Sequence, residues 1–363
     1  MSESSLKNRV IFLDLLMAPA VFMLIFSIGI ENTLAQEYRN GGTPLLQLWV
    51  YVNSLIIPFF IFSSGTLFIY LYKTKEKPFR ENLMVKRGIK RGIILLLFGY
   101  ILQLPWGRKI AGGGQIHPGD WVSFSAVDLL QLLGVCMLLM VLLLYFTEKL
   151  KLKDWFTFTV AGVLLLASGV VFEHSGIAAH LPAWLKAWFT QAEGSKYPLF
   201  HFGLYFLIGN CTGCFIYNHP EAFESVKNAR LLVVIGIVLV ALSFGGEWLM
   251  TQLGGYDRVG EKIVIRIFKK SGFIMLGIIV IIQASISIKE NPKVVIVLAR
   301  NTLLVYLAAI ILIERTPLRR LFVQEYGPWN SFLISTGAAI VMLLLLLAYN
   351  KSDLKNFSMM RGH

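Results

Sequence analysis

Uncharged apolar blocks, rather than apolar stripes, set the pattern of this chain. Runs such as IILLLFGYILQLPW, VCMLLMVLLLYF, LLVVIGIVLVALSF and AAIVMLLLLLAY hold no charged residue over twelve positions or more. A surface helix of a soluble domain shows one apolar face at a 3.6-residue period. These blocks are apolar all round, and stretches of roughly 18 or more such residues read as helices crossing a bilayer. The pattern predicts spans at roughly 10–30, 47–72, 91–106, 126–147, 156–173, 198–217, 230–250, 271–288, 294–313 and 331–349. The expected fold is an all-α polytopic membrane helical bundle of about ten transmembrane helices, a single integral-membrane domain over residues 1–363. The longest predicted loops run to about twenty residues, and no internal repeat is visible.

Composition supports this pattern. Hydrophobic residues make up 56% of the chain and charged residues 15%, where a soluble domain carries about 25% charged. The mean hydropathy is +0.66. A large soluble core would instead need helices that are apolar all round in nearly every segment. The net charge of +13 raises nucleic acid as a partner. The basic residues, however, sit in short loops between apolar blocks, and no basic stripe is interleaved with aromatics, so no nucleic-acid partner is expected. Cys211-Thr-Gly-Cys214 has the spacing of a redox or zinc pair. It has neither a second pair nor a ligand cluster beside it, so these cysteines and Cys136 read as packing residues, and no metal is expected. The polar N-terminus and the span-length first block do not form a cleavable signal.

Orientation follows from Lys and Arg. With the N-terminus inside, cytoplasmic segments hold twenty basic residues and outer segments thirteen, with Arg300 inside a span. Both termini are therefore expected in the cytoplasm, with the chain in the cytoplasmic (plasma) membrane. The seventh loop, Thr251 to Lys270, runs against the bias, because it carries Arg258, Lys262, Arg266, Lys269 and Lys270. Most of these share a helical face, with Ile263, Ile267 and Phe268 elsewhere. An interfacial amphipathic helix accounts for this pattern, and so does an anionic-substrate or lipid-headgroup site on the outer face.

Ionisable groups inside spans are costly and usually face the bundle interior. Asp14 sits one turn into span one, just after Arg9. The two read as a structural tether or as groups that orient a cofactor. Asp128 opens span four, His201 lies near the outer start of span six, and Glu247 and Glu314 close spans seven and nine. His117 precedes span four in a glycine-rich loop. A His with carboxylates at a common depth is a candidate general-base site, since a carboxylate fixes the tautomer and stabilises the charged form. A hydrogen-bonded helix-end His at 201 and a plain loop His at 117 are the alternatives. Arg300, followed by Asn301, needs a carboxylate, a carbonyl or an anionic ligand. Lys86-Arg87-Gly88-Ile89-Lys90-Arg91 is either a topology anchor or a phosphate site, for example for the nucleotide end of coenzyme A.

The order of segments resembles the transmembrane acyltransferase superfamily, which includes acyltransferase 3 proteins and heparan-alpha-glucosaminide N-acetyltransferase-like proteins. The resemblance covers most of the chain. It runs through Arg9-Val-Ile-Phe-Leu-Asp14, Ile57-Pro58-Phe59-Phe60 to Ser63-Ser64-Gly65, and the basic Arg87 and Arg91. It continues through Asp128-Leu-Leu-Gln131 to Gly134, Tyr197-Pro198-Leu199-Phe200 to Gly209, and Ala299-Arg300-Asn301 to Tyr306. Leu15-Leu16-Met17-Ala18-Pro19 replaces the family's Leu-Arg-Gly, span one has no His, and Ala308 stands where relatives often carry His. The usual catalytic His therefore has no counterpart at those positions.

The resemblance implies acyl transfer across the membrane, with acetyl as the favoured group. Acyl-CoA, with acetyl-CoA as the favoured donor, would place its phosphates on Arg87 and Arg91, with Arg9, Asp14 and Arg300 as further donor-side residues. His201 or His117, with Asp128, would serve an outer acceptor: a sugar, a glycan or a lipid headgroup. Membrane lipids are partners, and a homodimer is compatible with the sequence. A lipid or solute transporter or flippase and a catalytically degenerate scaffold are the competing readings.

Overall fold

The computed structural model describes residues 3–39, 43–104, 124–175, 177–191, 195–252, 259–288, 290, 292–315 and 324–351. The chain is an all-α membrane protein, and no strand is formed among the described residues. Its helices are α1 (Glu3–Thr33), α2 (Gln36–Arg39), α3 (Pro44–Lys73), α4 (Leu83–Gln103), α5 (Leu129–Lys149) and α6 (Asp154–His174). They continue with α7 (Ala183–Phe189), α8 (Leu199–Asn218), α9 (Arg230–Gln252), α10 (Val259–Ser287), α11 (Lys293–Arg300), α12 (Thr302–Ile310) and α13 (Pro328–Lys351).

Seven helical segments are long and apolar enough to cross a membrane, and α11 with α12 make an eighth if that bent pair is one span. All ten expected segments fall on helices, with three differences. Segment three begins at Leu83 and segment eight at Val259, well before the positions 91 and 271 that hydropathy marks. The first halves of α4 and α10 each hold four basic residues. Such side chains keep good helix propensity and lay their stems along apolar surface, so a helix continues where hydropathy stops. Segment nine is two helices meeting at 76° around Asn301. The Asn301 side-chain amide donates to the Val297 carbonyl at 2.8 Å, a local bond that competes with helix continuation.

The chain divides into two compact units. Unit one comprises Met1–Ser63, Pro220–Val233 and Ile274–His363. Its core is α1, whose Phe12, Leu16, Val21, Leu24 and Ile25 are buried and which packs on α11, α12 and α13. Phe12 meets Phe223 edge-on at 5.3 Å, and Phe26 sits between Trp49 and Phe332. The end of α1 is pinned by backbone bonds, Tyr326 N–H to Thr33 O at 3.1 Å and Ala35 N–H to Tyr326 O at 3.0 Å.

Unit two comprises Ser64–His219 and Val234–Phe273. Lipid tails are as apolar as leucine, so membrane helices associate through close backbone approach and interhelical hydrogen bonds. Both devices are present. A Cβ on Gly92 of α4 would lie 3.0 Å from the Gly134 carbonyl of α5. Thr66 Oγ1 of α3 donates to the Gly209 carbonyl of α8 at 3.0 Å. Helix α6 packs on α8, where the rings of Phe172, Phe189 and Phe200 cluster with centroids 4.7–5.1 Å apart. Helices α9 and α10 approach closely as well, since a Cβ on Gly272 would lie 2.8 Å from the Gly236 carbonyl.

Candidate functional site

Unit two holds His201, Asp128, Arg87 and Arg91, while Arg9, Asp14 and Arg300 belong to unit one. Within unit two the residues sort to opposite ends of α4. Its start is fixed by Asn82, which accepts from Met84 N–H at 2.9 Å and donates to the Tyr72 carbonyl at 3.0 Å. Its far end is fixed by Gln103, which accepts from the Gln131 side chain at 2.7 Å. At ~1.5 Å per residue, the sixteen residues from Arg87 to Gln103 separate the two ends by roughly 24 Å.

The first end is a basic pole. Arg87 is half-buried and Arg91 is exposed. They sit one turn apart on α4, and neither pairs with a carboxylate among the described residues. Two like charges one turn apart repel, and an anion with several oxygens would offset that repulsion. A few neighbouring charges at this end are matched. Lys73 pairs with Asp154 and lies 5.4 Å from the centre of the Tyr217 ring. The Tyr217 hydroxyl donates to Glu76 at 2.9 Å, and Phe79 N–H donates to Glu148 at 2.7 Å.

The second end is an imidazole pole. His201, in the first turn of α8, is only 7% exposed. It lines a small cleft with Leu166, Gly169, Val170, Phe200, Ile263, Val264 and Ile267, with room for about one water molecule. Its walls are otherwise hydrocarbon. Arg266 of α10 lies within electrostatic reach of the imidazole. Asp128 stands at the same end, because the preceding Val127 carbonyl accepts from Lys196 and Tyr197 N–H. The Asp128 carboxylate caps α5, accepting from Leu129 N–H at 2.7 Å, and Gln131 closes the capping box. Glu247 is occupied by Lys269 at 3.2 Å. The expected gathering of carboxylates around a His is thus distributed: one caps a helix, one holds a lysine, and the charged neighbour of His201 is an arginine.

A family model for the catalytic region of heparan-alpha-glucosaminide N-acetyltransferase matches residues 9–244, about two-thirds of the chain. The chain belongs to this family. Heparan-alpha-glucosaminide N-acetyltransferase family membership makes it a membrane acetyltransferase in its general class. No curated protein matches the chain. The family match takes in Arg87, Arg91, Asp128 and His201 and stops short of the α10 wall of the His201 cleft, of Arg266 and of Arg300.

The remaining expected residues are placed as follows. Asp14 is half-buried on α1, and the side chain of Arg9 lies outside the described residues. Arg300 is exposed at the last position of α11, at the bend, where a helix C-terminus favours a cation. His117 lies outside the described residues, as does the side chain of Glu314. Among the described residues no group of three His, Cys, Asp or Glu could hold a metal ion. Two features escaped sequence reading. One is the proximity of Arg266 to His201, which are far apart along the chain. The other is Asn210 of α8, which is fully buried with neither end of its amide hydrogen-bonded.

Proposed function

We propose that this protein is an acetyltransferase that moves an acyl group from cytoplasmic acetyl-CoA to an extracytoplasmic sugar, glycan or lipid headgroup. The observation that carries the reading is the polarity of unit two. An arginine pair without a carboxylate partner stands at one end of α4, and a buried imidazole in an apolar cleft stands at the other. Arg87 and Arg91 fit the phosphates of coenzyme A, and family membership points to acetyl-CoA as the donor. The positive-inside bias puts the basic pole and both termini in the cytoplasm, in the plasma membrane.

Acetyl-CoA supplies the acyl group as a thioester. His201 accepts the proton of the attacking hydroxyl or amine as the carbon–oxygen or carbon–nitrogen bond forms. It returns that proton to the departing thiolate as the carbon–sulfur bond breaks, which regenerates the neutral imidazole. The hydrocarbon walls of its cleft exclude water that would hydrolyse the thioester. Labelled acetyl-CoA supplied to purified protein with membrane extract tests this reading. Transfer of label to a glycan or lipid, lost in His201→Ala, is the expected result. No binding of acetyl-CoA and no transfer by the wild type would rule it out.

One observation favours a second reading. The 76° break at Asn301 is a discontinuous span of the kind that transporters use at substrate sites. Accumulation of a solute in proteoliposomes without covalent change would select transport over transfer.

A further inference from the structure

We propose that the first half of α10 is a phosphate site for an anionic lipid, and, resting on the acyl-transfer reading above, that this lipid is the acceptor class presented to His201. Lys262, Arg266 and Lys270 recur at four-residue spacing and form one row on the helix. Beside the row, Lys269 is matched by Glu247 at 3.2 Å and lies 4.3 Å from the centre of the Phe244 ring. Arg266 is exposed and pairs with no carboxylate among the described residues. The adjoining arc of the same helix carries Ile263, Val264 and Ile267, which wall the His201 cleft. One helix therefore presents a cationic row and, next to it, one side of an apolar cleft with an imidazole in it.

Depth and chemistry select the ligand. Trp248, next to Glu247 in sequence, is 66% exposed, and exposed tryptophans settle at headgroup level. A cation exposed at that depth faces lipid phosphates, and the planar fork of Arg266 suits bidentate contact with one. A free phosphate offers the same oxygens, but at headgroup depth the phosphates that meet an exposed cation are those of lipids. The row lies beyond residues 9–244, so the family match does not account for it.

The test uses the full chain in detergent micelles, with quenching of tryptophan fluorescence by brominated phosphatidylglycerol or brominated phosphatidylcholine. The expected result is about a tenfold preference for the anionic lipid. Arg266→Gln should abolish it, and Arg266→Lys, which keeps the charge but not the fork, should lose most of it. A preference that survives Arg266→Gln, or an Arg266→Lys protein indistinguishable from wild type, would overturn the site in favour of diffuse attraction. Displacement of the lipid by inorganic phosphate would overturn the lipid as the source of the phosphate. His201→Ala should keep the preference while losing acyl transfer. A wild-type protein that shows the preference but no transfer would refute the acceptor assignment and the enzymatic reading, with the lipid site standing.

Discussion

The two ends of unit two treat charge in opposite ways. At the basic pole, charges are many and close to the surface, and a few are matched: Lys73 by Asp154, Glu76 by Tyr217, Glu148 by a backbone N–H. Among the charges at this pole, Arg87 and Arg91 stand one turn apart on α4 with no carboxylate partner among the described residues. At the imidazole pole one titratable ring is enclosed by hydrocarbon, and the nearby acids are committed elsewhere. One end is suited to holding a polyanion reversibly. The other is suited to moving a proton where water is scarce. The lesson is that charge density alone does not mark a site; a single ring buried among hydrocarbon is a different chemical setting from many charges at a surface.

The largest expected effect breaks the imidazole pole. His201→Ala should lower acyl transfer by about 10²–10⁴-fold, measured by label transfer in membranes, with acetyl-CoA binding unchanged. Next comes the scaffold that keeps the poles apart. Gly92→Leu would force a side chain against the Gly134 carbonyl of α5, and should destabilise by about 1–3 kcal/mol or more, seen as a lower Tm in detergent. Arg87→Gln with Arg91→Gln should raise KM for acetyl-CoA about tenfold at similar kcat, the loss of roughly 1.4 kcal/mol of binding. Added salt should mimic that change in the wild type. Asn210→Leu keeps the γ-branched shape and removes an unbonded buried amide. It should raise stability by about 1–3 kcal/mol, read as a higher Tm. The smallest effect sharpens the contrast: Asp154→Asn breaks an ion pair near the surface and should cost only about 0–1 kcal/mol.

Much of the fold was legible because hydropathy needs no tertiary information, and each long uncharged block became a helix. The start of α4 was not, since Lys86 to Arg91 look like loop by hydropathy and form helix all the same; the start of α10 was legible as an amphipathic helix, but not as one helix with segment eight. The bend at Asn301 was hidden for a different reason: one local side-chain bond decides it inside an otherwise apolar stretch. At the site, the Arg87 and Arg91 register could be read directly from a four-residue spacing. The use of Asp128 as a cap was also latent in the Asp-x-x-Gln pattern before an apolar run, although charge at a span end suggests chemistry first. What no sequence pattern carried was the meeting of α8 with α10, which puts Arg266 and the Ile263–Ile267 wall beside His201.

The most direct test of the two-pole account is acetyl-CoA binding to the purified full chain by calorimetry, in wild type, in the Arg87→Gln/Arg91→Gln double variant and in His201→Ala. The account predicts binding by the wild type and by His201→Ala with similar Kd, and at least a tenfold weaker Kd in the double variant. Equal affinity in the double variant, or loss of affinity in His201→Ala alone, would contradict it.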